Sequence, residues 1–435
     1  MYKEKRKIIP WMSGLGASIL FLYSFLQPFD IYLFPNFQSR LIILTLGIVC
    51  IAAGKNFIVS ISPYKILNIW TVILVFFIVR NSADLQNGLY SNLLNYLIIF
   101  LFYIIVSKNE DWIPSFFRVI KVMSFIYAIF TVLFYFSRKA FEMIALNVLS
   151  IYSEQILSQY NEGWMSGLTN HYSVNAMYLS LGLALELVVL LDRNKRKNID
   201  ILISIFLMMA LFMTGKRGHI IFCIISWFVV YYFSNADKKR GRIVKILAIL
   251  TIGVIVFMIL ENFVPFLMIF IERFKYQMAQ GDVTTGRGIL AGYAWELFRK
   301  NIWSGIGWNR FIDIYVNSYS VSGEVLNVHN VYLQLLTETG IFGFLAFVIF
   351  FIVNYYIVVK TLVEVRIYQY NLKEKDRWLM FSLLMQTFFL IYCMTGNPLY
   401  DVHMFFPYMA ACAIAKYIRG NIVKVNNKKK IFKSR

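Results

Sequence analysis

The chain has 435 residues, of which 59% are hydrophobic and 15% are charged, and its mean hydropathy is +0.63. Soluble globular domains contain fewer apolar residues and about 25% charged residues, so this composition excludes a soluble protein and predicts a membrane protein. The formal net charge of +20 would favour a nucleic-acid partner if the basic residues formed one surface. They lie instead in short loops between apolar segments, so no nucleic-acid partner is expected.

Twelve apolar segments are predicted to span the membrane, because a helix needs roughly 20 residues to cross about 30 Å of hydrocarbon. They are residues 10–28, 40–54, 64–80, 92–107, 115–137, 171–191, 199–214, 217–233, 243–261, 340–359, 378–396 and 403–420. An even number of spans puts both chain ends on one side of the membrane. The predicted fold is therefore all-α, a polytopic integral membrane protein that forms a single domain over residues 1–435.

The first of these spans is expected to be retained in the protein. Basic residues precede it, as in a secretory signal, but no small-residue cleavage site stands out and further spans follow. The four cysteines all fall within predicted spans, without CxxC or zinc-site spacing, so they are interpreted as packing residues and no metal site is predicted. These cysteines are Cys50, Cys223, Cys393 and Cys412.

The distribution of positive charge predicts the orientation. Most of the 43 Lys and Arg residues lie on the same side as the chain ends. By the positive-inside rule that side is the cytoplasm, so the N- and C-termini are predicted to be cytoplasmic. The two longest connections, roughly 138–170 and 262–339, then lie outside, and residues 262–339 are predicted to form a catalytic loop that contains short helices.

Residues 287–300 of that loop fit an amphipathic helix when residues are placed about 100° apart, and such a helix is expected to lie on the outer membrane surface. Arg287 begins this helix, where the helix dipole disfavours a cation, so helix stability does not explain it. Its guanidinium would meet either a lipid phosphate or a bound pyrophosphate, and the sequence leaves both open. The apolar arc is Leu290, Tyr293, Leu297 and Phe298, and the polar face is Glu296, Arg299 and Lys300.

A second pair of cations, Lys216 and Arg217, lies in the tight turn 214–218 between two spans. This turn is on the side where the positive-inside rule disfavours cations. The two charges are either solvated, as in many short turns, or they bind an anion.

His329 precedes a helix that is predicted to start at Asn330 and to stop at Gly340, with Gly343 allowing close packing as the next span begins. A single histidine is commonly a structural hydrogen-bonding residue. At the end of a long outer loop, however, an imidazole with an ordinary pKa near 6.5 also suits proton transfer.

Glu338 lies about half a turn out of phase with His329, so the two are not paired. It is predicted to sit at a helix C-terminus, where the dipole disfavours an anion. Glu338 is therefore expected to have a cationic partner, either Arg217 or Arg287.

Other polar residues near span ends are secondary candidates. His171 and Asn175 stand four residues apart with Tyr178 on the same stripe, which predicts either an outward polar cavity or a capped and packed helix end. Glu186 is expected to reach toward the basic cluster 193–197.

His403, beside Asp401, lies in an outer turn that would complete the site. Three aromatic residues of the other outer connection are interpreted as interfacial side chains. They are Tyr160, Trp164 and Tyr172.

Three segments within roughly residues 200–360 resemble the O-antigen ligase/polymerase superfamily, whose members are integral membrane enzymes that extend or transfer bacterial surface polysaccharides. They are the Thr-Gly-Lys-Arg-Gly turn at 214–218, Gly286-Arg287-Gly288 with the following helix and Gly305-Ile306-Gly307, and His329-Asn330 through Gly340-Ile341-Phe342-Gly343. The resemblance implies a donor oligosaccharide linked through pyrophosphate to undecaprenol, and no metal or other cofactor. It also implies a bacterial plasma-membrane location with the active site on the outer face.

The same resemblance implies roles for individual residues. Catalytic roles fall on His329, Arg287 and Arg217, with the arginines at the pyrophosphate and the histidine near the acceptor. Substrate-binding roles are predicted for Lys216, Glu338, His171 and Asn330. The bilayer, a chain-length regulator and a flippase of the same pathway are the further partners that this prediction includes.

Polymerase activity is favoured over ligase activity by the twelve spans, by the second outer loop and by a composition rich in Ile, Lys and Asn. That composition suggests an AT-rich genome and hence a Gram-positive capsule or exopolysaccharide producer, which has no lipid A acceptor. A ligase would transfer the glycan to a distinct acceptor such as lipid A core. A transporter or flippase should place ionisable residues near the bilayer midplane, whereas the polar groups here gather at the outer mouth. A sensor or scaffold would not need the outer Arg and His residues.

Overall fold

The computed structural model describes residues 10–34, 36–53, 65–81, 89–107, 109–191, 196–234, 239–268, 271–272, 275, 287–319, 327–368 and 375–433. Regular structure within these ranges is helical. The helices are α1 (Pro10–Leu26), α2 (Phe37–Ala53), α3 (Lys65–Asn81), α4 (Leu89–Val106), α5 (Ile113–Phe136), α6 (Ser153–Asn161), α7 (Tyr172–Leu191), α8 (Asn198–Met213), α9 (Arg217–Ser234), α10 (Lys239–Leu260), α11 (Arg287–Lys300), α12 (Phe311–Tyr319), α13 (Val331–Ile367), α14 (Lys375–Tyr392) and α15 (Val402–Lys433). Short helical turns lie at Gln27–Phe29, Asp30–Leu33, Arg138–Ala140, Phe141–Ala145, Leu146–Val148 and Ser150–Tyr152.

Each predicted span overlaps a helix, and the all-α, polytopic membrane fold is confirmed. Five helical segments among the described residues are long and apolar enough to cross a membrane by themselves. They are Trp11–Leu33, Ile113–Phe136, Tyr172–Leu191, Gly241–Leu260 and Val331–Ile367. Several other apolar helices are shorter, so the number of twelve crossings stays a prediction.

Aromatic side chains fill the centre of the bundle, because large rings bury much apolar area and pack edge-to-face or stacked. Phe21 of α1 stacks on Phe406 of α15 with ring centroids 4.2 Å apart, and it meets Phe102 of α4 edge-on at 5.5 Å. The outer faces are apolar as well. On α10, for example, Val244 is 64% and Ile252 is 61% exposed, as expected where the surrounding solvent is lipid.

Glu186 pairs with a cation on a neighbouring helix. It is 1% exposed on α7, and its Oε1 lies 2.9 Å from Nζ of Lys121 on α5. A carboxylate surrounded by apolar side chains needs a cation close by, and the half-exposed Lys121 side chain supplies it. Residues 193–195 of the basic cluster toward which Glu186 was expected to reach lie outside the described ranges.

The helices α7, α9, α13 and α15 begin, and α8 and α14 end, at the same end of the bundle, which we call the loop end. The helix α11 packs there against α13. Its buried residues Leu290 and Ala294 join Phe311, Tyr315 and Val328 in a small core, and Oγ1 of Thr337 donates to the carbonyl of Ala294 at 3.0 Å. The apolar arc thus faces protein and not the membrane surface, because α12 and α13 supply the apolar partner.

Candidate functional site

The turn between α8 and α9 presents its two cations at the loop end. Gly215 adopts φ 71°, a left-handed conformation that glycine accepts without strain. Oγ1 of Thr214 donates to the carbonyl of Leu211 at 2.7 Å and accepts from the Lys216 backbone N–H at 3.2 Å. The Lys216 ammonium lies over the Tyr172 ring, 5.6 Å from its centroid, which is a cation–π distance.

His171 and Tyr172, at the start of α7, lie beside this turn. Nδ1 of His171 accepts a hydrogen bond from the Ser173 backbone N–H at 3.1 Å, and its ring lies 4.4 Å from the ring of Tyr172. Tyr172 also interacts electrostatically with Arg217, which begins α9. Tyr172, which the sequence suggested as an interfacial side chain, is therefore the residue that joins Lys216, Arg217 and His171.

Arg287 reaches the same region from α11. Its Nη1 donates to the backbone carbonyl of Thr395, in the turn between α14 and α15, at 3.3 Å. The side chain interacts electrostatically with both Lys216 and His329. The guanidinium is thus directed toward the loop end of the bundle, where a second cation and an imidazole lie near it.

His329 sits in a strained backbone conformation with φ 55°, which costs a non-glycine residue free energy and is commonest at functional sites. The residues after it hold it there. Oδ1 of Asn330 accepts from the Leu333 N–H at 3.1 Å as the N-cap of α13, and the Val331 N–H donates to the Cys393 carbonyl at 2.8 Å. The predicted helix start at Asn330 is confirmed, and its side chain is engaged in capping.

Burial and neighbouring charges set the protonation of this cluster. Burial, with the positive charges of Arg287 and Lys216, lowers the pKa of His329 to about 4. Burial and Arg287 lower the pKa of Lys216 to about 8, against an opposing effect of Asp401. Burial raises the pKa of Asp401 to about 6, partly offset by Lys216. Near pH 7 the cluster therefore holds a neutral imidazole beside two cations and one carboxylate, an arrangement suited to an anionic ligand.

Glu338 is fully buried, and the donors that it accepts from are neutral. The Tyr400 hydroxyl donates to Oε2 at 2.6 Å, the Asn309 backbone N–H donates to Oε2 at 2.9 Å, and the Gln334 amide donates to Oε1 at 3.0 Å. The expectation that Arg217 or Arg287 pairs with Glu338 is wrong, because these groups already satisfy its carboxylate. Glu338 joins α13 to the turn 301–309 and to the turn before α15.

A kink at Gly340 separates the first turns of α13 from its long apolar part, as the sequence predicted. Gly340 has φ 64° and ψ −173°, a conformation that is essentially restricted to glycine. The backbone of the turn 301–309 passes close to Gly340. A Cβ on Gly340 would lie 2.3 Å from the Trp303 carbonyl oxygen, and a Cβ on Gly305 would lie 2.3 Å from the backbone of Glu338.

The same turn caps the helix end that the kink creates. The N–H groups of Ile306 and Gly307 donate to the carbonyls of Thr337 and Glu338 at 2.9 and 3.0 Å. The carbonyls that lose their helical partners at Gly340 are thereby satisfied. The loop that bears His329 is consequently fixed to the bundle.

Other predicted residues lie deeper in the bundle. Asn175 is fully buried, and its amide donates to Thr131 at 2.9 Å and to the Met165 carbonyl at 3.0 Å. Tyr178 is fully buried and donates to the Ser24 carbonyl at 2.7 Å, while Nδ1 of His403 lies 2.6 Å from its hydroxyl. The stripe after His171 is therefore a packed helix face, and His403 belongs to its hydrogen-bond network.

Two site residues had no strong signal in the sequence. Asp401 is adjacent to the predicted His403, but its proximity to Lys216 depends on the packing of α15. Tyr172 was interpreted as an interfacial aromatic side chain, which is common in membrane proteins. Their position beside the cations follows from tertiary contacts that no local pattern encodes.

Part of the predicted catalytic loop lies outside the described residues, including Thr285, Gly286 and the segment 320–326. Within the described ranges, no three His, Cys, Asp or Glu side chains are close enough together to hold a metal ion. Residues 202–348, about a third of the chain, match the family model described as O-Antigen ligase. This segment includes Lys216, Arg217, Arg287, His329 and Glu338. No curated protein matches the chain.

Proposed function

We propose that this protein, whose residues 202–348 match the family model described as O-Antigen ligase, is a surface-polysaccharide polymerase of a bacterial membrane. It transfers glycan from an undecaprenyl-diphosphate-linked repeat unit to the sugar hydroxyl of an acceptor repeat. The reaction takes place at the loop end of the bundle, which faces the outside of the cytoplasmic membrane. The glycan is the repeat of a capsule, exopolysaccharide or O-antigen.

The observation that supports this proposal best is the proximity of Lys216, Arg287 and His329, whose charges affect one another's pKa values. They come from three separate segments, and Arg287 interacts electrostatically with both of the others. Two cations placed together repel each other and cost free energy in the absence of a ligand. A diphosphate between them removes this repulsion and accepts charge-assisted hydrogen bonds, which are about twice as strong as neutral ones.

The chemistry is a displacement at the anomeric carbon. The acceptor hydroxyl oxygen forms a bond to this carbon while the bond from the carbon to the diphosphate oxygen breaks. The electron pair of the broken bond leaves with undecaprenyl diphosphate, whose growing negative charge is stabilised by Arg287, Lys216 and Arg217. The hydroxyl proton passes to His329, which acts as the general base.

His329 becomes a better base when the donor binds. In the free protein, burial and two cations lower its pKa to about 4, which makes it a weak base. The negative charge of a bound diphosphate offsets Arg287 and Lys216, so the pKa of His329 rises toward its ordinary value. Proton transfer is thereby favoured when a donor is present to react.

The test uses purified protein in lipid nanodiscs with one lipid-linked repeat unit, and it follows the length of the product. A ladder that remains attached to the lipid is expected. Arg287→Ala should lower the rate by about 10²–10³, which is typical for loss of an electrostatic stabiliser, and Arg287→Lys should restore part of it. Arg299→Ala is the matched control, because Arg299 is exposed at the other end of α11.

Other outcomes would support different functions. If product forms only after a separate acceptor is added, the protein is a ligase. If no glycan is transferred while labelled lipid-linked substrate crosses the bilayer of proteoliposomes, it is a transporter or flippase. If Arg287→Ala and Arg299→Ala have equal rates, Arg287 has no role in the reaction.

A further inference from the structure

Two buried polar side chains beneath the cations have no role in the mechanism above. His219, one turn into α9, is fully buried, and neither of its ring nitrogens has a hydrogen-bond partner within the described part of the chain. Tyr392, the last residue of α14, is 4% exposed. Burying a polar group without a partner costs free energy, so the two ring nitrogens of His219 call for an explanation.

The two rings touch. The His219 ring meets the Tyr392 ring edge-on, with centroids 4.6 Å apart, and Phe388 lies on a further side of the imidazole at 5.5 Å. The Tyr392 ring also rests on the backbone of Gly396, where a Cβ would come within 2.2 Å of the ring. His219 and Gly396 thus both contact the phenol ring and restrict its movement.

The position of the phenol places it in the site. The Tyr392 phenol lies near enough to Arg287, Asp401 and Tyr172 for their charges to act on its ionisation, and Lys216 acts on His219 in the same way. The backbone connects the same groups, since the His219 N–H donates to the Lys216 carbonyl at 3.2 Å and Arg287 donates to Thr395, three residues after Tyr392. The phenol therefore lies between the element that supplies Lys216 and the turn that holds Arg287.

We propose that the Tyr392 hydroxyl is a further donor-binding group, which hydrogen-bonds a phosphate oxygen of the lipid diphosphate, and that His219 is its positioning residue. This inference rests on the proposed function. The phenol O–H donates to the phosphate oxygen, and an imidazole N–H of His219 donates to the phenol oxygen after a small tilt of the ring. The bound diphosphate in this way accepts a hydrogen bond from the phenol, and the phenol oxygen gives His219 a partner that its ring nitrogens lack within the described part of the chain.

Binding measurements on the whole protein in nanodiscs test the proposal with three probes: undecaprenyl diphosphate, undecaprenol and inorganic pyrophosphate. Tyr392→Phe removes only the hydroxyl, and it should weaken binding of undecaprenyl diphosphate about tenfold or more, as expected for loss of a hydrogen bond to a charged group. Binding of undecaprenol should not change. Pyrophosphate should show the same loss if the diphosphate alone is recognised.

The matched control is Tyr408→Phe. Tyr408 is a fully buried tyrosine that packs on Phe389 inside the bundle, with ring centroids 3.9 Å apart. This variant should bind all three probes like the wild type. 3-Fluorotyrosine at position 392 retains the shape of the side chain and makes its hydroxyl a stronger donor, so it should tighten diphosphate binding and supplies a test if Tyr392→Phe is unstable.

The role of His219 is tested by a double-mutant cycle. His219→Phe keeps an aromatic edge but removes the nitrogens, so it should weaken diphosphate binding less than Tyr392→Phe does. In the double variant the two effects should not add, because His219 acts through the phenol. Additive losses would indicate a merely structural role and would overturn the positioning assignment.

The outcomes separate this proposal from the proposed function. If Arg287→Ala abolishes transfer while Tyr392→Phe binds undecaprenyl diphosphate like the wild type, only the inference about Tyr392 is wrong. The same conclusion follows if Tyr392→Phe weakens undecaprenol binding equally, since the effect then comes from packing. If the wild type does not bind undecaprenyl diphosphate, the proposed function fails as well.

Discussion

A neutral imidazole beside two cations is the central feature at the scale of single residues. The pKa of His329 is lowered to about 4 first by burial and then by Arg287 and Lys216. Between about pH 4 and 6.5, the unfolded chain binds a proton at this residue that the folded protein does not bind. The stability contributed by His329 is therefore complete above about pH 6.5 and is lost as the pH falls toward 4.

Removing one of the charges should move this titration. Arg287→Gln takes away a positive charge near the imidazole, so the pKa of His329 should rise above its wild-type value of about 4. The rate at which diethyl pyrocarbonate modifies His329, followed by peptide mass spectrometry against pH, measures the midpoint. Arg299→Gln should leave the midpoint unchanged. Equal midpoints in all three proteins would show that Arg287 does not act on His329.

Undecaprenyl diphosphate should shift the same midpoint upward in the wild type, because its charge opposes those of Arg287 and Lys216. Undecaprenol, which has no phosphate, serves as the control and should have no effect. A midpoint that responds to both lipids would indicate that the prenyl chain, by changing the burial of His329, causes the shift.

At the scale of secondary-structure elements, the joint between α13 and the turn 301–309 positions the site. Gly340→Ala should destabilise the protein strongly, because alanine is strained at φ 64° and ψ −173° and its Cβ would collide with the Trp303 carbonyl. The backbone strain alone is worth about 1–3 kcal/mol. Thermal unfolding of detergent-purified protein measures the loss.

Gly292→Ala is the matched control for this prediction. Gly292 lies in the interior of α11, and a Cβ there would meet no atom within 4 Å. Alanine is the better helix former by about 1 kcal/mol, so this variant should be as stable as the wild type or more stable. If both variants lose stability alike, the close backbone crossing does not explain the requirement for glycine.

Local features of this joint were predictable from the sequence, whereas its long-range contacts were not. The cap at Asn330 and the stop at Gly340 follow from residue types within one segment, and the structure confirms both. The partners of Glu338 include Tyr400, 62 residues later, and the backbone of Asn309, 29 residues earlier. Only the packed bundle brings these groups together, so the expected cationic partner was wrong.

The same distinction holds for the cations. Lys216 and Arg217 were identified because cations are unexpected on the outer side of a membrane protein, and Arg287 because the helix dipole disfavours a cation at a helix N-terminus. The turn that directs Arg287 inward, through Thr395, lies 108 residues away in the chain. Charge patterning therefore pointed to the residues, while their mutual arrangement depends on how α9, α11 and α14 pack.

At the scale of the whole molecule, the apolar helices exclude water from the interior and hold the polar groups at the loop end. The distribution of Lys and Arg residues predicts that this end faces outward, and single cysteines can test that prediction. The native cysteines are buried and should react slowly. Ser304 and Tyr368 are exposed and lie near opposite ends of α13, so each is a suitable position for a labelled cysteine.

Ser304→Cys should react with a membrane-impermeant maleimide in intact cells, because the loop end is proposed to face outward. Tyr368→Cys should react only after the cells are broken. Labelling of Ser304→Cys only in broken cells would reverse the orientation and place the cationic site in the cytoplasm. Reaction of both positions in intact cells would mean that α13 does not cross the membrane.

The crossing of Gly305 and Gly340 limits how the protein can be redesigned. No side chain separates the two backbones at this point. The clash that a larger residue would cause at either glycine therefore cannot be removed by making a neighbouring side chain smaller. A chimera that takes the loop before α13 from another protein that matches the same family model must import residues 301–309 together with the opening turns of α13. Under the proposed function, exchange of acceptor preference should therefore succeed with this larger cassette and fail with the loop alone.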